Sequence, residues 1–154
     1  MHLYLVQHAE ALREEVDPTR SLSEDGIEDI RKVAAFAKSM NMTAHQIFHS
    51  GKMRALQTAQ VIADTVPIDM GIAETDGLAP KDEPEIWADR IDKLNNDVIL
   101  VGHLPHLARL ASLLIRGDKN QSSVNFEMGG ILCLRKDDEG SWTVDWMMKP
   151  RMLK

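Results

Sequence analysis

The stretch of sequence that decides the fold is DVILVGHLPHLARLASLLIRG, at residues 97–117. It begins with the apolar run Val98–Val101, which is typical of a strand buried on both faces of a sheet. Pro105 then marks the start of a helix, and Gly117 lies just beyond its predicted end near Arg116, where proline and glycine are each favoured. A buried strand that leads directly into an amphipathic helix indicates a parallel sheet covered by helices.

Short apolar runs and segments of helical periodicity alternate along the whole chain. The predicted elements are strands at 2–6, 46–49 and 97–102, helices at 23–40, 52–65, 84–95 and 105–116, a loop at 69–84, and a final pair of strands at 131–135 and 142–147. This alternation predicts an α/β fold, namely a three-layer α/β/α sandwich with a mainly parallel central sheet. The last two strands flank a turn and predict a C-terminal hairpin at one edge of the sheet. Because the chain has no evident linker or repeat, residues 1–154 are expected to form a single domain.

The spacing of apolar residues predicts which side chains of the helices face the core. Ser23 is a candidate N-cap for the first helix, because its hydroxyl can accept a hydrogen bond from a free backbone N–H. Met53 is expected to face inward at the start of the second helix. The third helix is predicted from Ile86, Ile91 and Leu94, which would form its apolar face.

Composition and charge exclude several classes of function. The chain has 24 acidic residues against 18 lysine and arginine residues, and its net charge of −6 argues against binding nucleic acid by bulk attraction to phosphates. Its one cysteine, Cys133, excludes an internal disulfide and a cysteine-rich zinc site. No apolar run reaches the roughly 18–20 residues of a membrane span. We therefore expect a cytoplasmic protein with no nucleic-acid or membrane partner, and with neither a metal nor another cofactor.

Two of the predicted strands are each followed by a histidine. His8 comes after the strand at 2–6, and His103 comes after the strand at 97–102. Because the carboxyl ends of parallel strands meet at the same edge of a sheet, we expect the two imidazoles to lie close together. The helix after the strand at 46–49 carries Arg54 in its first turn, and helix N-termini also attract anions. Two imidazoles beside a guanidinium suit phosphoryl transfer, in which a neutral histidine attacks phosphorus and cations hold the oxygens.

Three motifs in this order resemble those of the histidine phosphatase superfamily (phosphoglycerate-mutase-like). They are LVQHAE at residues 5–10, SGKMRALQTA at residues 50–59 and VGHLP at residues 101–105. The second motif is the most specific of the three. The short length of the chain and the order of its motifs are most similar to the SixA-type phosphohistidine phosphatases. The resemblance covers nearly the whole chain, and it implies the fold predicted above.

The resemblance also implies roles for particular residues. His8 would be the nucleophile that becomes a phosphohistidine, Arg54 would bind the phosphoryl oxygens, and His103 would stabilise charge in the transition state. Arg20 matches an arginine that precedes the first helix in SixA-type proteins and is a second candidate phosphate ligand. Glu10 is a candidate for positioning the rim of the site. The nucleophile must be neutral whereas a charged His103 would serve better, so we expect the two pKa values to be pushed apart.

Gln7 departs from the family pattern, which places an arginine directly before the nucleophilic histidine. Glutamine keeps amide donors and can still contact phosphate, but it lacks the charge and the two-pronged geometry of arginine. A charged hydrogen bond contributes roughly 1.5–3 kcal/mol against about 1 kcal/mol for a neutral one. We therefore expect phosphate affinity to be lower by about one power of ten or somewhat more, unless a nearby cation such as Lys52 supplies the missing charge.

The segment between the second helix and the strand at 97–102 is short, and its length bears on which group protonates the leaving group and on how large a substrate can bind. Only about thirty residues separate the second helix from the strand at 97–102, too few for a large lid that would carry an acid. Glu74, Asp76 and Asp82 are candidate acids that the sequence does not distinguish. An open pocket suits a phosphoryl group on a protein surface, and a phosphoramidate P–N bond depends less on a strong acid.

We therefore expect a metal-independent phosphatase that hydrolyses protein phosphohistidine through a covalent phospho-His8 intermediate. The expected partner is a signalling protein that bears the phosphohistidine. Two alternatives remain open. One is a phosphomonoesterase of the same superfamily that acts on a small phosphorylated substrate. The other is a catalytically weak phosphate-binding adaptor, an alternative that rests on Gln7.

Overall fold

A computed structural model describes residues 1–153, in which six strands and four helices alternate along the chain. The strands are β1 (His2–Gln7), β2 (Gln46–His49), β3 (Ile72–Glu74), β4 (Val98–Gly102), β5 (Ile131–Lys136) and β6 (Trp142–Met148). The helices are α1 (Glu24–Ser39), α2 (Met53–Thr65), α3 (Glu85–Asp92) and α4 (His106–Arg116), and a short 3₁₀ turn follows at Pro150–Met152. Within the described residues, no helix has both the length and the apolar character needed to cross a membrane.

The strands form one sheet in the order β3-β2-β4-β1-β5-β6. The first four strands are parallel to one another, whereas β5 and β6 run antiparallel and form the C-terminal hairpin at the edge. The register between β1 and β4 pairs Gln7 with Gly102, so the two strands end at the same level. The predicted mainly parallel sheet with an edge hairpin is therefore confirmed.

Helices cover both faces of the sheet and complete the predicted three layers. Alternate residues of β1 face opposite layers: Tyr4 and Val6 pack with the helices α1 and α2, whereas Leu3 and Leu5 pack with α3 and α4. Every residue of β4 is buried. A strand with both faces covered has no polar side, which explains the continuous apolar runs in the sequence.

The ends of the elements follow local sequence signals, with one strand missed. Ser23 caps α1 as predicted, since its hydroxyl accepts a hydrogen bond from the Gly26 N–H at 3.0 Å. Gly117 ends α4 with a φ of 71°, the left-handed conformation that glycine adopts most easily. The predicted loop at 69–84 instead contains β3, which pairs in parallel with β2 through Ile72 opposite Ile47.

Two predictions about helix faces are wrong. Met53 is 38% exposed, because it is the first residue of α2 and lies at the end of the helix, outside the buried stripe. On α3, Ile86 is 39% exposed and Trp87 is only 2% exposed. The indole of Trp87 packs against Phe48 with ring centroids 5.1 Å apart, and its N–H donates to the Asp76 carbonyl at 3.0 Å. This tertiary contact sets the rotation of α3.

His106 at the start of α4 is expected to make the fold sensitive to acid. The residue is fully buried, and neither ring nitrogen has a hydrogen-bond partner within residues 1–153. Burial is the main reason that its pKa falls from 6.5 to about 4; the charge of Arg109 lowers it further, and Asp82 opposes the shift. Because the folded pKa lies below the unfolded one, this contribution to stability is complete above pH 6.5 and is lost as the pH falls towards about 4.

When the pH is lowered, we expect the free energy of unfolding to fall by about 3 kcal/mol less in His106→Leu than in the natural chain. The measurement is the free energy of unfolding in urea at about pH 7.5 and about pH 4.5, for the natural chain and the variant. His45→Leu, at a partly exposed position before β2, is the matched control. An equal loss of stability in the natural chain and in His106→Leu contradicts the prediction.

Candidate active site

The structure brings His8 and His103 together at the carboxyl edge of the sheet. Both rings are buried, and their centroids lie 5.0 Å apart at an interplanar angle of 49°. The backbone N–H of His8 donates to the Gly102 carbonyl at 3.0 Å, which continues the pairing of β1 with β4 past the end of the strand. Two imidazoles that follow neighbouring parallel strands are thus positioned by the sheet itself.

The ring of His8 is oriented by its own loop. Its Nδ1 lies 2.7 Å from the Ala9 carbonyl oxygen, and because a carbonyl can only accept, Nδ1 carries the proton. The lone pair of Nε2 is then free to attack an electrophile. The loop is held by the Gly129 N–H, which donates to the carbonyls of Gln7 and His8 at 3.0 and 3.2 Å. His8 therefore leaves Nε2 unprotonated, as the predicted nucleophile requires.

Thr58 joins the His8 loop to α2, a role that the sequence analysis missed. The hydroxyl of this fully buried residue accepts a hydrogen bond from the Ala9 N–H at 3.0 Å and donates to the Arg54 carbonyl at 2.7 Å. Thr58 is part of the motif at 50–59, so the motif marked the residue, but the sequence did not indicate that its hydroxyl binds the backbone of Ala9. This link fixes the first turn of α2 relative to His8.

Ser50 is a second residue that the sequence analysis missed. Its hydroxyl is hydrogen-bonded to Nε2 of His103 at 2.6 Å, whereas Nδ1 of His103 is buried and has no partner among the described residues. Ser50 directly follows β2 and precedes the N-terminus of α2, where the Lys52 N–H donates to its hydroxyl at 3.4 Å. The hydroxyl therefore holds the ring of His103 in place.

The two candidate arginines approach His8 from separate segments. Arg54 lies in the first turn of α2, and its Nε is buried without a hydrogen-bond partner in residues 1–153. Arg20 has a left-handed backbone with a φ of 52°, and its Nε donates to the Leu12 carbonyl at 3.1 Å. Strained backbone of this kind often occurs at functional sites. A buried guanidinium N–H without a protein acceptor is suited to the oxygen of an anion.

Gln7 contributes no charge to this pocket. The Oε1 atom of its side chain is buried, and no partner is present within the described part of the chain. The positive charge therefore rests on Arg54, Arg20 and Lys52; the charge of Lys52 contributes to lowering the pKa of His103. That Lys52 compensates for the missing arginine stays a prediction.

Both histidines have lowered pKa values, which corrects the expectation that their pKa values are pushed apart with His103 the charged one. Burial is the main cause for His8, whose pKa falls to about 4; the charges of Arg54 and Arg20 lower it further, and the bond to Ala9 opposes the shift. Burial also dominates for His103, whose pKa falls to about 3 with contributions from His8, Arg54 and other nearby cations. Both imidazoles are therefore expected to be neutral at pH 7 in the free site, mainly because they are buried and also because Arg54 lies near both rings.

Anion binding should reverse this effect, and we expect sulfate affinity to rise as the pH falls. Sulfate stays a dianion over the range used, so the change reports the protein alone. We expect a dianion beside His103 to raise its pKa from about 3 into the pH range of the experiment, so that binding takes up a proton. We expect affinity to increase about tenfold from about pH 7 to about pH 5. The measurement is calorimetric titration, with folding checked by circular dichroism.

His103→Gln provides the control for this titration. Glutamine keeps a hydrogen-bonding side chain but cannot gain a proton, so most of the pH dependence should disappear. Sulfate affinity that is constant with pH in the natural chain, or that rises with pH, would contradict the role of a protonated His103 in anion binding.

Carboxylates lie at the rim of the site. Glu10 accepts a hydrogen bond from the Ser23 hydroxyl at 2.7 Å, which ties the rim to the start of α1. Glu74 and Asp76 line an open cavity of about 530 Å³ together with Ser50. Asp76 is paired with Arg90 at 2.8 Å, and Asp82, by contrast, accepts a hydrogen bond from the Ala79 N–H at 2.9 Å. Glu74 is therefore the strongest of the three candidate acids.

A mainly parallel α/β sheet that presents two histidines and an arginine at its carboxyl edge defines a class of phosphate-handling domain. The model of the histidine phosphatase superfamily (branch 1) matches residues 3–83, and the chain belongs to that superfamily. It is accordingly a phosphatase.

Comparison with known proteins gives relatives of similar length and fold. The chain is similar to the phosphohistidine phosphatase SixA of Escherichia coli K12, with 23% identity over 159 aligned positions that cover 100% of this chain and 97% of the relative. The structure of the protein histidine phosphatase SixA complexed with tungstate has a TM-score of 0.87 at 22% identity and covers 100% of both chains. A phosphoserine phosphatase of Entamoeba histolytica has a TM-score of 0.73 at 16% identity over 99% of each chain. These structures share the fold.

Proposed function

We propose that this phosphatase hydrolyses phosphohistidine on a partner protein through a covalent phospho-His8 intermediate. The observation that carries the proposal is the pair of buried imidazoles, with ring centroids 5.0 Å apart, together with the buried and unpartnered Nε of Arg54. This arrangement offers a nucleophile and an anion site in one pocket. The likeness to SixA proteins supports phosphohistidine as the substrate.

The reaction has two displacements at phosphorus. In the first, Nε2 of His8 attacks, the P–N bond to the substrate imidazole breaks, and that imidazole leaves with a proton from the site or solvent. Arg54 and Arg20 hold the phosphoryl oxygens, and His103 stabilises the charge that develops on them. In the second, water attacks the phosphorus of phospho-His8, inorganic phosphate leaves, and His8 returns to its starting state.

The surroundings of the pocket favour a protein as the substrate. Between α2 and β4 the chain forms only the short strand β3 and the eight-residue helix α3. The neighbouring cavity, lined by Ser50, Lys52 and Glu74 among others, is open to solvent. Three exposed apolar side chains, Met53, Leu104 and Met128, adjoin the segments that carry Arg54, His103 and the His8 loop. Apolar side chains around an open polar site are typical of a surface that binds another protein.

The test compares phosphate release from two substrates. One is a protein phosphorylated on histidine with potassium phosphoramidate, and the other is p-nitrophenyl phosphate. We expect kcat/KM to be at least about tenfold higher for the phosphoprotein. Faster hydrolysis of the small ester would favour a small-molecule phosphatase, and no release from either substrate would favour the phosphate-binding adaptor.

A pair of methionine variants tests the protein-binding rim. Met128→Ser should raise KM for the phosphoprotein without changing the hydrolysis of p-nitrophenyl phosphate. Met70→Ser is the matched control, because Met70 is also exposed but lies before β3, at the amino end of that strand. Equal KM values for the two variants would contradict a protein substrate that contacts this rim.

Replacing Gln7 by the arginine of the family pattern tests how much phosphate affinity and activity are lower because residue 7 is glutamine. We expect Gln7→Arg to raise phosphate affinity and kcat/KM about tenfold, because it adds a charged, two-pronged ligand where a neutral amide now stands. Gln7→Leu, which removes the amide without adding charge, is the control. The measurements are inhibition by inorganic phosphate and release from the phosphoprotein. Unchanged values would show that the missing charge at position 7 does not limit phosphate binding or hydrolysis.

A further inference from the structure

A second cluster of ligand-type side chains lies at the end of the sheet opposite His8. His2 on β1, Cys133 on β5 and Asp145 on β6 each bring one donor atom to within 4.8 Å of the others. Nε2 of His2 is 3.4 Å from a carboxylate oxygen of Asp145. The six-residue strand β1 separates this cluster from the candidate active site by about 20 Å.

Strand pairing explains how three distant residues meet. Cys133 pairs with Tyr4 of β1 and with Trp146 of β6, so its thiol shares a sheet face with the side chain of His2, two residues before Tyr4. An irregularity between Cys133 and the next residue leaves Asp145 without a register partner. Such bulges redirect side chains, and this one directs the Asp145 carboxylate towards His2.

A second carboxylate, that of Asp97, contacts both the backbone and the ring of His2. Asp97 accepts a hydrogen bond from the backbone N–H of His2 at 2.7 Å, and its other oxygen lies 3.6 Å from Nδ1 of the His2 ring. When one ring nitrogen of a histidine binds a metal, the other ring nitrogen usually donates a hydrogen bond to a group such as a carboxylate. A cavity of about 300 Å³, lined by His2, Asp97 and Trp146 among others, adjoins the cluster on the side of His2.

We propose that His2, Cys133 and Asp145 bind a zinc ion, with water from the adjoining cavity as the fourth ligand. Nitrogen, thiolate and carboxylate are the ligand types that zinc takes in proteins. A tetrahedral zinc ion holds its ligand atoms about 3.3–3.8 Å apart, and the distance from His2 to Asp145 already falls in this range. On binding, the Cys133 thiol releases its proton to solvent, and the thiolate and carboxylate balance the charge of the ion.

The zinc ion would join β1 to the edge hairpin of β5 and β6. This inference does not depend on the proposed phosphatase reaction, because the cluster is remote from His8. It departs from our expectation of no metal, which rested on the single cysteine. The number of cysteines does not reveal a site whose ligands come from three paired strands.

Cobalt titration of the untagged, EDTA-treated chain tests the site. The sequence has one cysteine, so a thiolate-to-cobalt charge-transfer band can arise only from Cys133. We expect the band to saturate at one cobalt ion per chain and to disappear when zinc displaces the cobalt. No such band at saturating cobalt would overturn the proposal.

Three variants complete the test. Cys133→Ser should lose the band, and Asp145→Asn should lower zinc affinity at least about tenfold. Asp145 is exposed, so its substitution decides the matter even if Cys133→Ser does not fold. Asp138→Asn, in the turn of the same hairpin, should keep the affinity of the natural chain. Equal zinc affinities for Asp145→Asn and Asp138→Asn would overturn the proposal.

Discussion

Replacing His8 by alanine is expected to lower kcat/KM for phosphate release by at least about 10³-fold. The substitution removes the Nε2 lone pair, which is free because Nδ1 is bonded to the Ala9 carbonyl at 2.7 Å. Water would then have to displace the leaving imidazole directly, in a pocket that still binds the anion. The measurement is release of phosphate from a histidine-phosphorylated protein under single-turnover conditions. The natural chain should also accumulate an acid-labile phosphoenzyme that the variant lacks.

A matched control separates this effect from general damage to the protein. His45→Ala removes an imidazole that lies just before β2, whereas the candidate site is at the carboxyl end of that strand. This variant should keep full activity. Phosphate release from His8→Ala at more than about a tenth of the natural rate would contradict the assignment of the nucleophile.

The central strands could be predicted from sequence, whereas the edge strand β3 could not. β1 and β4 are buried on both faces, so each leaves a continuous apolar run that is recognisable without knowledge of its partners. β3 has three residues, none of them fully buried, and so carries no periodicity. The sequence also could not predict which face of α3 is buried, because that depends on the contact of Trp87 with Phe48.

The meeting of the two histidines was predictable because it depends only on topology. His8 and His103 each follow a strand, and the strands are parallel neighbours in register. Their charge states were not predictable, since they depend on burial and on which charges surround each ring. The hydrogen bonds made by Ser50 and Thr58 were equally out of reach, because spacing along the chain does not identify hydrogen-bond partners.

Replacing Arg54 by methionine is expected to lower kcat/KM for phosphate release by about 10²–10³-fold. Methionine keeps much of the aliphatic bulk but removes the charge and the N–H groups that would hold the phosphoryl oxygens. Arg54→Lys should recover only part of the loss, because an ammonium group is a point charge without the planar fork of arginine. Steady-state kinetics with the histidine-phosphorylated protein provide the measurement.

Stability should change in the opposite direction, which distinguishes a functional arginine from a structural one. The buried Nε of Arg54 has no acceptor within residues 1–153, and burial together with the charge of Arg20 lowers its pKa. Removing an unpaired donor from this position should therefore raise the free energy of unfolding by about 1 kcal/mol. Arg31→Met, at an exposed position on α1, should change neither activity nor stability appreciably. If Arg54→Met instead lowers stability and leaves kcat/KM unchanged, Arg54 is a structural residue and the anion site must lie elsewhere.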